Sequence, residues 1–262
     1  MNLQLKSKVA IVTGASRGIG KAISKKLASE GSNIALVARS EKDLENVKSE
    51  IQSESNEIKC EYFICDTRFD DQVKKMITDV FSLFGSVDIL VNCAAMPASG
   101  TSRIDSFEGE DLMEQIDVKV SGYLRCAKYA SKYMKDNGWG RIINISAGSA
   151  DVRNHSVYSL ANSGVRFITE CLALELGPEV ATNAISPGQI KESAPDISEF
   201  DPTFVENTIR HTPMGRLVTR QEIARVAVLL CSQVFNSVTG QTIRMDGGKA
   251  FPGNQLTLER RY

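Results

Sequence analysis

The chain has 262 residues, which is enough for one large α/β domain or two small ones. Its 42% hydrophobic and 24% charged residues are typical of an ordinary globular protein, and the net charge of -1 argues against nucleic acid or an acidic membrane surface as a partner. No stretch predicts a signal peptide or a bilayer-spanning helix, and the six cysteines form no C-x-x-C pair. We therefore expect a cytoplasmic protein with reduced cysteines and no metal site.

Short apolar segments alternate with longer amphipathic ones along the whole chain. The apolar segments predict strands at 9–12, 34–37, 62–64, 89–91, 142–145, 183–185 and 241–245. Helical spacing occupies 18–30, 41–53, 71–84, 107–135, 156–176 and 219–231. This alternation predicts a single α/β domain over residues 1–262, a Rossmann-like, doubly wound parallel sheet of about seven strands with helices on both faces. Ligands of such sheets bind beyond the carboxyl ends of the strands, where the strand order reverses.

Residues 187–218 form the one long stretch without a predicted strand. This stretch contains four of the seven prolines of the chain. Because a loop of this length usually has a function of its own, we expect it to cover the substrate site.

A glycine-rich segment follows the first predicted strand and opens the first predicted helix. It reads Thr13-Gly14-Ala15-Ser16-Arg17-Gly18-Ile19-Gly20. Its glycines permit a tight turn and close approach of the backbone to phosphate, and the helix N-terminus supplies amides and partial positive charge for a pyrophosphate. The alternative is a plain turn.

The residue after the second strand predicts which nucleotide binds. An acidic side chain there holds the ribose of NAD, but this chain has Arg39. Arg39 and Arg17 form a two-cation cradle suited to the 2′-phosphate of NADP. The alternative is a solvated Arg39. Asp66, at the end of the third strand, is either an acceptor for the adenine amino group or a simple helix-start residue.

These motifs, with Asn92-Cys93-Ala94-Ala95, Tyr158, 183–188, 239–241 and 246–248, together resemble the classical short-chain dehydrogenase/reductase family. The match runs from about residue 6 to about residue 250, and the pattern is most similar to 3-oxoacyl-carrier-protein reductases and type III enoyl reductases. The resemblance implies that the adenosine phosphates of NADP(H) are held by Gly14, Ser16, Arg17, Gly18, Ile19, Gly20 and Arg39. It implies that the adenine is flanked by Asp66 and Thr67. It implies that the ribose is held by Asn92, Ala94 and Asn162, and the nicotinamide by Pro187, Gly188 and Ile190.

The resemblance also implies four catalytic positions, and this chain departs from most of them. The family tyrosine is Tyr158, but the lysine expected four residues later is Asn162. That lysine lowers the pKa of the phenol and grips the nicotinamide ribose, whereas asparagine brings only hydrogen bonds. The serine position is Ala147, with Ser146 or Ser149 as substitutes. The asparagine of the preceding long helix, which holds a water that relays protons to the lysine, corresponds to Asp117.

The departures continue beyond these positions. A threonine that touches the nicotinamide in the family corresponds to Glu192, beside Ser193. Candidates to replace the lysine are Arg166, Arg153 and His155. Cys93 is interpreted as a packing residue. We therefore predict retained cofactor binding with altered proton chemistry, in which Tyr158, Ser146 and Asn162 are the catalytic residues.

Three functions remain open from the sequence. The first is an NADP(H)-dependent oxidoreductase that acts on a carbonyl or an activated alkene of a small molecule, either free or bound to a carrier. The second is a catalytically impaired NADP-binding subunit that pairs with an active homologue through the helices at 107–135 and 155–176. The third is a non-redox isomerase, dehydratase or cyclase with Asp117 and Glu192 as bases whose pKa values burial would raise. A homo-oligomer, dimer or tetramer, is expected with the first function.

Overall fold

A computed structural model describes residues 2–55, 57–96, 109–148, 156–200 and 202–250. It contains one seven-stranded sheet, in which all neighbouring strands are parallel and the order is β3-β2-β1-β4-β5-β6-β7. The strands are β1 (Val9–Thr13), β2 (Asn33–Ala38), β3 (Cys60–Ile64), β4 (Ile89–Asn92), β5 (Gly140–Ile145), β6 (Val180–Pro187) and β7 (Thr242–Met245). The predicted Rossmann-like architecture is confirmed.

The helices follow the predicted segments closely. They are α1 (Gly18–Ser29), α2 (Glu41–Glu54), α3 (Asp70–Phe84), α4 (Gly109–Ile116), α5 (Gly122–Asp136), α6 (Val157–Leu176), α7 (Ala194–Phe200), α8 (Pro202–Arg210) and α9 (Arg220–Cys231). Two details differ from the prediction. A π-helical turn at Asp117–Ser121 separates α4 from α5, and the stretch at 187–218 contains α7 and α8.

Apolar side chains from alternate strand positions form a hydrophobic core on each face of the sheet. On one face, Ile34 and Leu36 of β2 pack with residues of α1 and α9, such as Ile23 and Ile223. On the other face, the intervening positions of the same strands pack against α3, α5 and α6. Burial on both faces explains why the central strands read as continuous apolar runs in the sequence.

The strand order reverses between β1 and β4, and the carboxyl ends of these two strands frame a crevice. Thr13 holds the two ends together, since its Oγ1 accepts hydrogen bonds from the amides of Cys93 at 3.0 Å and Ala94 at 3.1 Å. The residues that follow β1, β4, β5 and β6 therefore meet at one edge of the sheet. Among the described helices, none combines the length and the apolar character needed to cross a bilayer.

Candidate active site

A cleft of about 520 Å³ lies over this edge of the sheet. It runs from the glycine-rich segment and the end of β2, past the ends of β3 and β4, to the start of α6. The predicted site residues on its walls are Gly14, Ser16, Arg17, Gly18, Ile19, Gly20, Arg39, Asp66, Thr67, Ala94, Ser146, Tyr158 and Ile190. One continuous cavity thus joins the predicted cofactor residues to the predicted proton donor.

Glycine is needed in the glycine-rich segment for two different structural reasons. A Cβ on Gly14 would lie 2.8 Å from the carbonyl oxygen of Cys93, and one on Gly20 would lie 2.3 Å from the carbonyl oxygen of Gly14, so both positions are closed by the protein itself. Gly18 has a φ of +61°, and a Cβ there would meet no atom within 4 Å. Gly18 therefore leaves open space at the start of α1, where a ligand approaches the backbone.

The N-terminus of α1 is suited to an anion. Its N-cap residue, Arg17, makes no side-chain hydrogen bond to the first turn, where the Cys93 thiol bonds only the amide of Gly20. These amides and the helix dipole favour a phosphate group. The glycine-rich segment thus fits the pyrophosphate of a dinucleotide, and an uncapped α1 that lines the cleft is the observation that supports this fit.

Arg17 and Arg39 both line the same end of the cleft. Within the described ranges, neither guanidinium has an ion-pair partner, although Arg39 helps to lower the pKa of the Asp66 carboxyl. Ser40, next to Arg39, caps α2 by accepting from the amide of Asp43 at 3.4 Å. The two arginines are therefore available to a phosphate group beyond the end of β2.

Asp66 lines the cleft, but its carboxylate already has partners. Arg68 Nη2 donates to Asp66 Oδ2 at 2.7 Å, and the Arg68 amide donates to Oδ1 at 3.0 Å. The Arg68 guanidinium is the first cause that holds the pKa of the Asp66 carboxyl below its usual value. The Asp66 carboxylate is thus ionised and paired with Arg68, which is compatible with either interpretation from the sequence.

Tyr158 stands in the first turn of α6 and lines the cleft. Burial raises the pKa of the Tyr158 phenol, and a hydrogen bond from the Asn162 side chain lowers it. Ser146, just after β5, is buried and lies on the cleft wall, where its Oγ donates to the backbone carbonyl of Asn162 at 3.0 Å. Ser146 therefore links the end of β5 to the turn of α6 that carries Tyr158.

A lysine that the sequence analysis did not consider lies at the centre of the site. Lys119, in the π-helical turn, is only 1% exposed yet belongs to the cleft wall. Its Nζ donates to Asn162 Oδ1 at 2.6 Å and lies 5.3 Å from the centre of the Tyr158 ring. Burial lowers the pKa of the Lys119 ammonium to about 8.

Asn162 does not face the cleft, although we expected it to bind the ribose. It is fully buried, its Oδ1 accepts from Lys119, and its Nδ2 donates to the backbone carbonyl of Tyr158 at 2.8 Å. Both ends of the amide are thus used inside the protein. The structure therefore corrects the expected contact between Asn162 and a ribose hydroxyl, and it places Asn162 between the lysine and the tyrosine.

Three other predicted cofactor residues lie behind the cleft wall rather than on it. Asn92 is fully buried, with its Nδ2 donating to Asn144 Oδ1 at 2.9 Å. Pro187 is buried at the end of β6, and the Gly188 amide donates to the carbonyl of Met245 at 2.9 Å. These residues shape the strand ends, while Ala94 and Ile190 provide the surface at the cleft.

Asp117 does not occupy the inward position that the sequence analysis assigned to it. Its carboxylate binds Arg125 Nη2 at 2.7 Å and its side chain is 40% exposed. The inward position belongs to Lys119, two residues later. Lys119 lies four residues before Tyr123 and seven residues before Cys126, and both of these residues are buried. In an amphipathic helix this spacing places the three residues on one face, so it is the sequence signal that indicates an inward lysine.

Glu192 is exposed, and its two oxygens accept from the Arg220 amide at 3.2 Å. Neither Asp117 nor Glu192 has the burial that the non-redox hypothesis requires of a base. Ser149, Arg153 and His155 lie outside the described residues. Ser193 is on the cleft wall, and Cys93 is too, with burial raising the pKa of its thiol to about 12.

Comparisons with known proteins find similarity to reductases along nearly the whole chain. The family model described as enoyl-(acyl carrier protein) reductase matches residues 14–250. The chain is 31% identical to the 3-oxoacyl-(acyl-carrier-protein) reductase FabG of Aquifex aeolicus, over 95% of this chain and 99% of that protein. It is 32% identical to a protein of Bacillus subtilis named as a probable 2,4-dienoyl-CoA reductase, over 94% of this chain and 97% of that protein.

One similar solved structure is a gluconate 5-dehydrogenase from Burkholderia cenocepacia in complex with NADP and tartrate. It superposes with a TM-score of 0.87 at 25% identity and covers 95% of this chain and 97% of its own. The similarity extends through the strands and helices that surround the cleft.

Proposed function

Because the chain belongs to the classical short-chain dehydrogenase/reductase family, we propose that it is an NADP(H)-dependent oxidoreductase that reduces a carbonyl or an activated alkene. The observation that carries the proposal is the single cleft in which Arg17, Gly18 and Arg39 at one end are continuous with Tyr158 at the other. This continuity supports the binding of a nucleotide in the same cavity as a proton donor.

When bound, NADPH would supply a hydride to the substrate. Tyr158 would donate its phenolic proton to the substrate oxygen, so that a carbonyl, one hydride and one proton together give an alcohol. For an activated alkene, which takes the hydride at its β-carbon, the proton would be added at the carbonyl oxygen to give an enol or at the α-carbon to give the saturated product. Ser146 and Asn162 hold the first turn of α6, and thereby Tyr158, in position.

The two relatives favour acyl thioesters as the substrate class. One is named for 3-oxoacyl groups on a carrier protein and the other for dienoyl groups on coenzyme A. Short 3-oxoacyl and 2-enoyl thioesters of N-acetylcysteamine therefore test carbonyl reduction and alkene reduction in one assay of NADPH oxidation at 340 nm. Oxidation with either thioester supports the proposal, and oxidation with neither, nor with simple ketones and cyclic enones, contradicts it.

Replacement of Arg39 by alanine tests the choice of nucleotide. We expect the Kd for NADPH to rise by about 10- to 100-fold, because a charge-assisted contact to the 2′-phosphate is lost, while the Kd for NADH changes little. The measurement is fluorescence titration with both nucleotides. Lys42→Ala is the matched control, since it removes the same charge from an exposed position early in α2. Equal losses for NADPH and NADH would assign Arg39 to general electrostatics.

The segment at 187–218 is proposed to cover the substrate. Ile190 and Ser193, at its start, lie on the cleft wall, and an isolated bridge between Ile190 and Val218 closes its ends. The helices α7 and α8 lie between these ends in the chain. We infer that a substrate binds between this segment and Tyr158.

A homo-oligomer is proposed from the outer face of α6. Leu160, Phe167 and Leu174 repeat at intervals of seven residues and are 47%, 67% and 88% exposed. Such a stripe on one helix is suited to a second apolar helix. We expect light scattering to give a dimer or tetramer, and Phe167→Lys to shift the mass toward the monomer. A wild-type monomer at micromolar concentration would contradict this assignment.

A further inference from the structure

The buried cation of the site has no acidic partner in the part of the chain that the structure describes. Lys119 Nζ has the neutral amide oxygen of Asn162 as its acceptor, at 2.6 Å. Burial of an unpaired ammonium group costs free energy, since burial favours the uncharged form. The position of Lys119 on the cleft wall indicates that this group has a function in the site.

Lysine and asparagine are the two residue types that the family resemblance implies beside the tyrosine, but here they stand on opposite helices. Asn162 is four residues after Tyr158 on α6, where the resemblance implies lysine. Lys119 is on the preceding helical segment, where the resemblance implies asparagine. The Nζ–Oδ1 contact joins the two, so the pair is kept while its members have exchanged positions.

The backbone brings the two helices together closely enough for this contact. A Cβ on Gly164 of α6 would lie 2.9 Å from Val120 Cγ2, so glycine is required for the approach. The π-helical turn at Asp117–Ser121 sets the direction of its side chains: Lys119 is buried toward α6 while Asp117 reaches Arg125.

We propose that Lys119 provides, from the opposite helix, the positive charge that the residue four positions after the tyrosine provides in the family, and that Asn162 holds its ammonium group in place. This inference rests on the proposed reductase function. When Tyr158 gives its proton to the substrate oxygen, a phenolate remains, and the nearby ammonium stabilises it. Because Asn162 is uncharged, it orients Lys119 without cancelling that charge.

The groups around Lys119 are consistent with this function. Among the described residues, the titratable groups close to Lys119 are Cys93 at the end of β4 and Tyr158 on α6, and both are neutral at pH 7 because burial raises their pKa values. With a pKa of about 8, Lys119 is mostly charged at pH 7 and loses its charge within a small rise in pH. It therefore suits both stabilisation of the phenolate and return of a proton.

The test compares wild type with Lys119→Met, with Asn162→Lys and with the exchange variant that carries Lys119→Asn and Asn162→Lys together. We expect Lys119→Met to lower kcat by 100-fold or more with an unchanged Kd for NADPH. We expect the exchange variant to recover kcat to within about 10-fold of wild type, because it restores lysine beside the tyrosine and a neutral partner opposite. Asn162→Lys alone places two cations side by side, and its kcat should be well below that of the exchange variant. Thermal unfolding confirms that each variant is folded.

The pH dependence of kcat and the protonation state of Lys119 are two measurements that distinguish this function from a purely structural one. Wild-type kcat should fall as pH rises through about 8, and this alkaline limb should be absent in Lys119→Met. In the NADP-bound wild-type protein, ¹⁵N NMR should show a charged ammonium for Lys119 at pH 7, assigned by its loss in Lys119→Met. A neutral amine at pH 7, or a folded Lys119→Met with wild-type kcat, overturns the inference.

These outcomes separate the two proposals. If wild type binds NADPH but reduces none of the thioesters, ketones or enones, the proposed function fails, and the inference fails with it. If wild type reduces one of them and the folded exchange variant is no more active than Asn162→Lys alone, only the assignment of Lys119 fails.

Discussion

Replacement of Tyr158 by phenylalanine is expected to lower kcat by about 10²- to 10⁴-fold, the usual contribution of a positioned general acid. The change removes only the hydroxyl group, so the ring, its contact with Lys119 and the cleft wall remain. The Kd for NADPH should change little, because the nucleotide residues lie at the other end of the cleft. The measurement is steady-state NADPH oxidation together with fluorescence titration of NADPH.

Tyr133→Phe is the matched control for this change. Tyr133 stacks on Phe81 with ring centres 4.3 Å apart, so phenylalanine preserves its packing far from the cleft. This control should keep wild-type kcat. Wild-type turnover in Tyr158→Phe on a confirmed substrate would assign the proton donor to another group.

Replacement of Lys119 by methionine is expected to change how stability depends on pH. The pKa of Lys119 is lowered from 10.5 to about 8 on folding. Between these values the unfolded chain binds a proton that the folded protein does not, so wild-type stability rises with pH across this range and is lowest below pH 8. Lys119→Met lacks this dependence because methionine does not titrate.

The free energy of unfolding of Lys119→Met relative to wild type should therefore fall by about 2–3 kcal/mol between pH 7 and pH 10, an order-of-magnitude figure from the shift. Urea unfolding at several pH values measures it. Lys132→Met, on the exposed face of α5, is the control and should show a flat difference. A flat difference for Lys119→Met as well would mean that the Lys119 ammonium keeps its ordinary pKa in the folded protein.

The sheet and its ligand edge were predictable because each local pattern agreed with the global fold. Continuous apolar strands such as β1 are typical of a parallel sheet that is buried on both faces, and the glycines at 14, 18 and 20 mark the turn before the first helix. The π-helical turn was not predictable, since its one-residue shift leaves no pattern that hydrophobic spacing distinguishes from a regular helix.

The candidate site was only partly predicted because the resemblance assigned the family asparagine to Asp117. The structure instead places Lys119, two residues later, against Asn162, while Asp117 binds Arg125. When position 162 is considered alone, Asn162 indicates that the family lysine has been lost. The contact between Lys119 and Asn162 depends on two segments 43 residues apart, and only the folded chain brings them together.

We propose above all that a bound nicotinamide nucleotide reduces a substrate beside Tyr158. Wild-type protein turned over with NADPH carrying deuterium at both C4 positions, and with the thioester that it consumes, tests this claim directly by mass spectrometry of the product. We predict one deuterium in each reduced product and one NADP⁺ formed for each product. Conversion of the substrate without deuterium incorporation, with NADPH left intact, would contradict the account.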